Sequence, residues 1–203
     1  MRDANPGTVY LKDYRPPDYL VNRTELHFEL FEDHALVTAR LHLLRDPAVI
    51  DETPLELQGQ ELELLALAVD GEPLSPGDYE VDTESLRIPG LPQQCVVQCT
   101  TRIRPQDNTS LEGLYKSRTM FCTQCEAEGF RKITYYLDRP DVMSVFTVTV
   151  DADRQRYPVL LSNGNLFDSS ELDGGRHRAV WHLSLIHISE PTRRATISRM
   201  PSS

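Results

Sequence analysis

The sequence predicts an all-β fold, an antiparallel β-sandwich or saddle made of many short strands. Three observations indicate it. Apolar and polar residues alternate with a period of two through the first hundred residues. Turn-forming residues separate the alternating segments, and no 18-residue window shows a sustained apolar stripe at helical spacing. Alternation of period two buries one face of a strand and leaves the other face in water.

The first predicted element is a hairpin. Leucine and phenylalanine alternate with glutamate and histidine over residues 25–30, and the alternation resumes over residues 37–43. The polar residues 32–34 interrupt it briefly. Two alternating runs separated by a short polar break are typical of two paired strands.

Further strands are predicted along the first half of the chain. An apolar run covers residues 62–69, and Asp70-Gly71 follows it as a tight turn, because glycine tolerates a positive φ. Shorter strands are expected near residues 79–81 and 86–88, and a longer one over residues 95–103.

The second half of the chain is organised differently. Alternation fails between residues 106 and 140, where polar, aromatic and glycine residues are mixed. Strand-like composition returns over residues 145–150 and 157–161. Asp173-Gly174-Gly175 predicts a turn before a last alternating segment at residues 177–181.

The last 21 residues differ from the rest in composition. Residues 183–203 hold one acid, Glu190, and three arginines. The run from residue 185 to 194 resembles the translation of a sequencing adapter or vector scar. We therefore predict one domain over residues 1–182 and a non-native tail over residues 183–203, with a natural basic tail as the alternative.

The composition of the chain limits its partners. Its 203 residues include 21 Lys and Arg against 31 Asp and Glu, a formal net charge of −10. This balance disfavours binding to nucleic acid phosphates. No apolar run approaches the roughly 20 residues that a membrane-spanning helix needs, and no export signal is visible. We expect a cytoplasmic protein with neither nucleic acid nor membrane partners.

The four cysteines permit a metal site but do not favour one. Cys122 and Cys125 form a C-x-x-C, and Cys95 with Cys99 would complete a four-thiolate zinc site. Positions four apart on a strand are about 13 Å from each other, too far to share one ion without a bulge. Buried packing is the favoured interpretation. Because H-E-x-x-H and G-x-S-x-G are also missing, we predict no catalytic and no metal-binding residues in this chain.

The segment from residue 111 to 141 is the candidate functional region. Polar and aromatic residues on a rigid β scaffold commonly carry function. Glu126 and Glu128 could offer negative charge to a cationic ligand, although composition alone favours a solvated loop with structural salt bridges. Four other charged residues are expected to form an ion-pair network: Arg131, Asp138, Arg139 and Asp141.

This segment also carries a family resemblance. The run Thr-Gln-Cys-Glu-Ala-Glu-Gly-Phe-Arg at residues 123–131, followed by Tyr-Leu-Asp-Arg-Pro-Asp at residues 136–141, resembles the bacterial aminopeptidase N family. These are zinc metallo-aminopeptidases of the gluzincin class. The similarity begins near Asp13 and continues to Trp181.

The resemblance implies an N-terminal β-saddle domain that caps a thermolysin-like catalytic domain. It implies that Gln124 and Glu126 contact the free α-amino group of a peptide substrate, and that the catalytic domain binds the zinc cofactor. The implied partners are the N-terminus of a peptide and the catalytic domain of the same polypeptide, in a monomeric enzyme.

The chain departs from the family by lacking the catalytic motifs. H-E-x-x-H, the downstream zinc-binding glutamate, G-x-M-E-N and the family's transition-state tyrosine do not occur in it. We therefore expect a fragment that has no peptidase activity alone. The alternative is a stand-alone β-sandwich module that binds a peptide or protein. The reading frame beyond codon 182 distinguishes the two.

Overall fold

The computed structural model describes residues 11–50 and 52–183. Three 3₁₀ helices lie there, at Leu11–Asp13, Phe130–Lys132 and Asp173–Gly175. In this part of the chain no helix has the length and apolar character that a membrane crossing requires. The strands are β1 (Tyr19–Leu30), β2 (Ala35–Arg45), β3 (Leu55–Gln58), β4 (Glu63–Val69), β5 (Glu72–Pro73), β6 (Glu80–Val81), β7 (Ser85–Ile88), β8 (Gln94–Ile103), β9 (Gly113–Ser117), β10 (Met120–Gln124), β11 (Val145–Asp153), β12 (Asn165–Leu172) and β13 (Arg176–Leu183). The all-β prediction is confirmed.

Eight strands form the main sheet, in the order β12-β13-β11-β1-β2-β8-β4-β5. Neighbouring strands are antiparallel except β1 and β11, which run parallel from Arg23 beside Val145 to Glu29 beside Asp151. The sheet is therefore mixed rather than wholly antiparallel. Alternation shows which face of a strand is buried, but it does not show the direction of the neighbouring strand.

Two smaller sheets complete the fold. One has the order β3-β7-β6, and the other is the hairpin of β9 and β10. Gln58, at the end of β3, exchanges two backbone hydrogen bonds with Tyr136, at 2.8 and 3.1 Å. This bridge ties the three-stranded sheet to the later part of the candidate functional segment.

The core lies between the main sheet and the β3-β7-β6 sheet. Alternate residues of the central strand β2 (Val37, Ala39 and Leu41) are fully buried. The smaller sheet contributes four further buried side chains, namely Leu55, Leu57, Leu86 and Ile88. Each buried leucine contributes about 1.5–3 kcal/mol, so the core supplies a rigid base for the surface loops.

Several predicted turns are confirmed. The break at residues 32–34 joins β1 to β2, where the Phe31 N–H donates to the His34 carbonyl at 3.0 Å. Asp70 and Gly71 connect β4 to β5 with φ values of 51° and 89°. Positive φ at both central residues is the geometry of the tight hairpin turns that asparagine, aspartate and glycine favour.

Other segments differ from the prediction. Residues 157–161 are not a strand; the Tyr157 N–H instead closes a turn on the Asp153 carbonyl at 2.9 Å. The hairpin of β9 and β10 and the edge strand β12 were not predicted. Of the predicted tail, Leu183 is the last residue of β13, and residues 184–203 lie outside the described residues.

Candidate functional site

The β9–β10 hairpin positions the first candidate residue. Gln124 is the last residue of β10 and lies opposite Gly113, the first residue of β9. The hairpin is anchored through Leu114 and Phe121, which are 1% and 0% exposed. Gln124 therefore stands at the end of a ribbon whose apolar side is fixed in the core.

A cluster around Glu32 braces the far end of this hairpin. Lys116 Nζ on β9 donates to Glu32 Oε2 at 3.0 Å, and the Tyr157 hydroxyl donates to Glu32 Oε1 at 2.8 Å. Arg156 is 2.9 Å from the same carboxylate. Burial favours a higher pKa for Glu32, yet the hydrogen bonds from Lys116, Tyr157 and Arg156 outweigh it and lower the pKa to about 2. The cluster links the β1–β2 turn to the hairpin.

The loop after β10 folds closely over the hairpin. The Gly129 N–H donates to the Cys125 carbonyl at 3.0 Å. A side-chain Cβ at Gly129 would lie 2.8 Å from the Gln124 carbonyl oxygen, and one at Gly113 would lie 2.7 Å from the Lys132 Cβ. Both positions lack space for a side chain. The peptide bond between Glu126 and Ala127 is cis.

Arg131 closes the other end of this loop. Its Nε donates to Asp138 Oδ2 at 2.9 Å, and its backbone N–H donates to the same oxygen at 3.1 Å. Arg131 Nη2 donates to the Asp138 carbonyl at 3.1 Å and lies 3.5 Å from Glu128 Oε2. The Arg131 guanidinium is therefore already bound by Glu128 and Asp138.

The second candidate residue, Glu126, is left open to solvent. Its side chain is exposed and makes no hydrogen bond or ion pair with any residue that the structure describes. The Gln124 side chain is half-buried, and its amide group likewise has no partner in that part of the chain. Both side chains are free to bind a ligand, and Cys125 lies between them in the chain. Burial raises the pKa of the Cys125 thiol to about 12, which keeps it protonated.

The predicted ion pairs are present as two separate contacts. Besides the Arg131–Asp138 pair, Arg139 binds Asp141 through Nε at 2.9 Å and Nη2 at 2.6 Å. Tyr14 donates its hydroxyl hydrogen to Asp141 at 2.9 Å. The hydrogen bond from Arg139 lowers the pKa of Asp141 below its usual range. This second pair ties the N-terminal segment to the end of the candidate region.

Sequence reasoning missed an aromatic cluster behind the loop. The Phe130 ring lies 4.7 Å from the Tyr136 ring and 6.0 Å from the Phe146 ring, both edge-on. Thr24 on β1 shares hydrogen bonds with Ser144 at 2.8 Å and with the Tyr136 hydroxyl at 3.5 Å. The density of aromatic residues at 130–136 was the available signal, but the sequence did not show that they pack on β1 and β11.

The cysteines and the charged side chains offer no metal centre in residues 11–50 and 52–183. Cys95 and Cys99 are buried on β8, Cys122 and Cys125 are partly buried, and none of these four described residues forms a disulfide. No group of three or more His, Cys, Asp or Glu side chains in those ranges is arranged to hold an ion. The described residues do not fit a zinc ion, so we assign none of them to one.

Comparison with protein families identifies the domain. The family model for the peptidase M1 N-terminal domain matches residues 26–189. The chain belongs to this family. The match includes the candidate loop, the hairpin that carries it and the core strands that support both.

Relatives of this M1 N-terminal domain are much longer proteins. Aminopeptidase N of Caulobacter vibrioides is 46% identical over 181 residues, which are 89% of this chain and 21% of that protein. Aminopeptidase N of Escherichia coli is 43% identical over 176 residues, which are 87% of this chain and 20% of that protein. The chain spans about a fifth of the length of these curated relatives.

Solved structures confirm the fold of the M1 N-terminal domain. Aminopeptidase A of Legionella pneumophila, solved in complex with aspartic acid, matches with a TM-score of 0.79 at 32% identity, covering 85% of this chain and 20% of that one. An M1 zinc metallopeptidase of Deinococcus radiodurans matches with a TM-score of 0.67 at 14% identity, covering 81% of this chain and 39% of that one. The latter likeness concerns the fold alone.

Proposed function

We propose that this chain is the N-terminal domain of a zinc-dependent aminopeptidase that removes N-terminal amino acids from peptides. In that enzyme it caps the active site and recognises the free α-amino group of the substrate through Gln124 and Glu126. The observation that carries the proposal is the exposed, unpaired carboxylate of Glu126 on a braced loop, in a chain 46% identical to an aminopeptidase N.

The chemistry of the two side chains suits a terminal ammonium. A peptide N-terminus presents three N–H donors and a positive charge, whereas an internal amide presents one donor and no charge. The Glu126 carboxylate and the Gln124 amide oxygen both accept hydrogen bonds, and the bond to the carboxylate is charge-assisted. In the proposed enzyme the catalytic domain would enclose the Glu126 carboxylate, where lacking its cation is unfavourable, so a blocked terminus is rejected as well.

The loop supports this role because it holds the backbone at Glu126 in a defined place. Arg131 and Asp138 fix the loop from one end, and the buried side of the β9–β10 hairpin fixes it from the other. Fixed groups bind a substrate in one register and lose little freedom on binding. Recognition of the terminus would therefore also set which peptide bond is presented for cleavage.

We further propose that the remaining domains of the enzyme cover the β12 edge of the main sheet. Leu166 and Phe167 on this edge are 53% and 73% exposed, beside a cleft of about 460 Å³ that Trp181 lines. Trp181 Nε1 is buried without a hydrogen-bond partner among the described residues. The exposed side chains of Leu166 and Phe167 provide the apolar surface that a docked domain would cover.

Zinc in the proposed enzyme would supply Lewis-acid chemistry, and the residues that would hold it belong to a part of the polypeptide outside this chain. The chain alone is proposed to be inactive. Its cytoplasmic location and its monomeric state stay predictions.

A domain exchange tests the proposed function. Residues 1–182 replace the matching segment of E. coli aminopeptidase N, to which this chain is 43% identical. We expect the hybrid to release N-terminal amino acids from free peptides but not from N-acetylated ones, and the isolated chain to release none. Metal-dependent release by the pure chain would contradict the proposal. A folded hybrid that stays inactive would contradict the assigned role of the domain.

A further inference from the structure

A second open region lies beside the candidate loop and does not include its recognition residues. It is a cleft of about 970 Å³ between the segment after β3, the turn between β6 and β7, and the segment around Lys132. Gln124 and Glu126 are not among the residues that line it. The M1 function proposed above makes no use of this cleft.

The hydroxyl of Tyr135 is a polar group of this cleft that has no hydrogen-bond partner among the described residues. The Tyr135 residue is 2% exposed and lines the cleft, yet its hydroxyl makes no hydrogen bond to any residue that the structure describes. Gly59 lies against the ring, where a Cβ would come within 2.3 Å of two ring carbons. The hydroxyl oxygen is not among the fully buried atoms that lack a partner, so it keeps contact with solvent and is available to a ligand.

The hydroxyl stays in its neutral form. Burial, with smaller contributions from Cys99 and Asp82, raises the pKa of Tyr135 to about 12. The cleft is the open space that Tyr135 lines, so the solvent contact of the hydroxyl places it at the cleft. A neutral phenol both donates and accepts a hydrogen bond, so the surrounding charges decide which ligand it binds.

Those charges are mainly negative. Glu61, Asp82, Glu84 and Glu112 line the cleft together with a single cation, Lys132. The lysine Nζ lies 3.4 Å from Glu61 and 3.8 Å from Glu112, so it offsets only part of the charge. A concave surface lined by one sign of charge concentrates ions of the opposite sign.

The arrangement favours an organic cation over a metal ion. In the described residues no three acidic side chains lie close enough together to ligate one ion. The base of the cleft combines Leu62 with the ring of Tyr135, both suited to an aliphatic chain. An aliphatic stem with a charged end matches an apolar base below an acidic rim.

We propose that this cleft binds an alkyl chain ending in an ammonium or guanidinium group, with the Tyr135 hydroxyl accepting one of its N–H hydrogens and the acidic rim holding its charge. Two sources provide this chemistry, namely a lysine or arginine side chain of a peptide and a free polyamine. The site is independent of the recognition of a terminal amine by Glu126.

The test uses amide chemical shifts of the isotope-labelled 203-residue chain. The probes are acetyl-Ala-Arg-Ala-amide, its neutral citrulline counterpart, and 1,5-diaminopentane. The acetyl group keeps the peptide from presenting a terminal amine to Glu126. We expect the arginine peptide or the diamine to shift the amides of Gly59, Gln60 and Glu84 saturably, more weakly at high salt. The citrulline peptide should not do so.

Two variants and a control distinguish the site from general attraction to an acidic protein. Tyr135→Phe should leave the melting temperature unchanged, since the hydroxyl has no partner in the described structure, but weaken binding roughly tenfold. Glu61→Gln should weaken it too, whereas Glu72→Gln, an exposed carboxylate outside the cleft, should not.

The outcomes separate the possibilities. Binding of the diamine alone identifies a free amine as the ligand, and binding of the peptide identifies a basic side chain; both support the site. Equal binding of the citrulline peptide overturns it, as does a failure of both cations to bind. Equal effects of the three variants on binding would also overturn it.

Discussion

Arg131 and Asp138 close the loop that carries Glu126. The Arg131 guanidinium donates to the Asp138 carboxylate at 2.9 Å and to the Asp138 carbonyl at 3.1 Å, and the Arg131 backbone N–H donates to that carboxylate at 3.1 Å. The two side chains are only 16% and 11% exposed. Because Arg131 is engaged here and with Glu128, Glu126 keeps its charge available to a ligand.

Loss of this contact should destabilise the domain measurably. Asp138→Ala removes the two hydrogen bonds that the carboxylate accepts from the Arg131 Nε and backbone N–H. The mostly buried guanidinium keeps only the carbonyl of residue 138 and Glu128, and we expect the free energy of unfolding in urea to fall by about 3 kcal/mol. The matched control is Glu63→Ala, which removes the partner of Arg102 from an exposed pair and should cost less than about 1 kcal/mol. Equal losses for the two variants would show that Arg131–Asp138 behaves as an ordinary surface pair.

The ionised side chain of Asp151 should stabilise the domain, and acid should remove this stabilisation. Burial favours a higher pKa, but hydrogen bonds from Arg178 and His27 outweigh it and lower the pKa of Asp151 to about 2. An unfolded aspartate has its ordinary pKa of 3.8 and binds protons more readily. The stabilisation, about 2 kcal/mol, is therefore complete above that ordinary pKa and is lost as the pH falls towards 2.

Urea unfolding measured between pH 2.5 and 6 checks this. Asp151→Asn should flatten the pH dependence of the unfolding free energy, while Asp168→Asn, on the exposed strand β12, should not. An Asp151→Asn protein with the slope of the unchanged chain would contradict the assignment. Glu32, whose pKa is also lowered to about 2, is expected to contribute a smaller share because its side chain is 47% exposed.

Sequence patterns predicted the strands that have one buried and one exposed face. Strands β1, β2 and β8 alternate regularly in the sequence and alternate in burial. The hairpin of β9 and β10 was missed because its burial does not alternate regularly. The strand β12 was missed because nearly all of its residues are exposed, so it has no apolar face to detect.

The candidate site was only partly accessible from sequence. The motif at residues 123–131 led to Gln124 and Glu126 through a family resemblance, and charge alone led to the pair of Arg131 with Asp138. Neither approach showed that Glu32, 84 positions before Lys116, braces the hairpin. The unpaired Tyr135 hydroxyl was likewise hidden, since a buried tyrosine looks the same in sequence whether or not it has a partner.

Replacing Gly59 with alanine should destabilise the domain through a steric clash and not through backbone strain. A Cβ at Gly59 would lie 2.3 Å from two carbons of the buried Tyr135 ring and 2.9 Å from a Leu62 methyl. Gly59→Ala must displace that ring, so we expect a loss of about 1–3 kcal/mol in the free energy of unfolding. Gly90→Ala is the comparison, because Gly90 has a φ of 67° and open space around it. Gly90→Ala should lower the free energy of unfolding through backbone strain alone, by about 1 kcal/mol. Wild-type stability of Gly59→Ala would mean that the ring moves freely.

Glu126 provides the most direct test of amine recognition, in the hybrid with E. coli aminopeptidase N. Glu126→Gln keeps the size of the side chain and removes its charge, so we expect kcat/KM for free peptides to fall by the equivalent of about 2–5 kcal/mol. Gln124→Ala should lower kcat/KM less, because it removes a neutral acceptor.

Neither change should lower stability, since neither side chain has a partner among the described residues. Glu72→Gln controls for the loss of one negative charge. Unchanged kinetics for Glu126→Gln would remove this side chain from the site and leave the loop with a structural role.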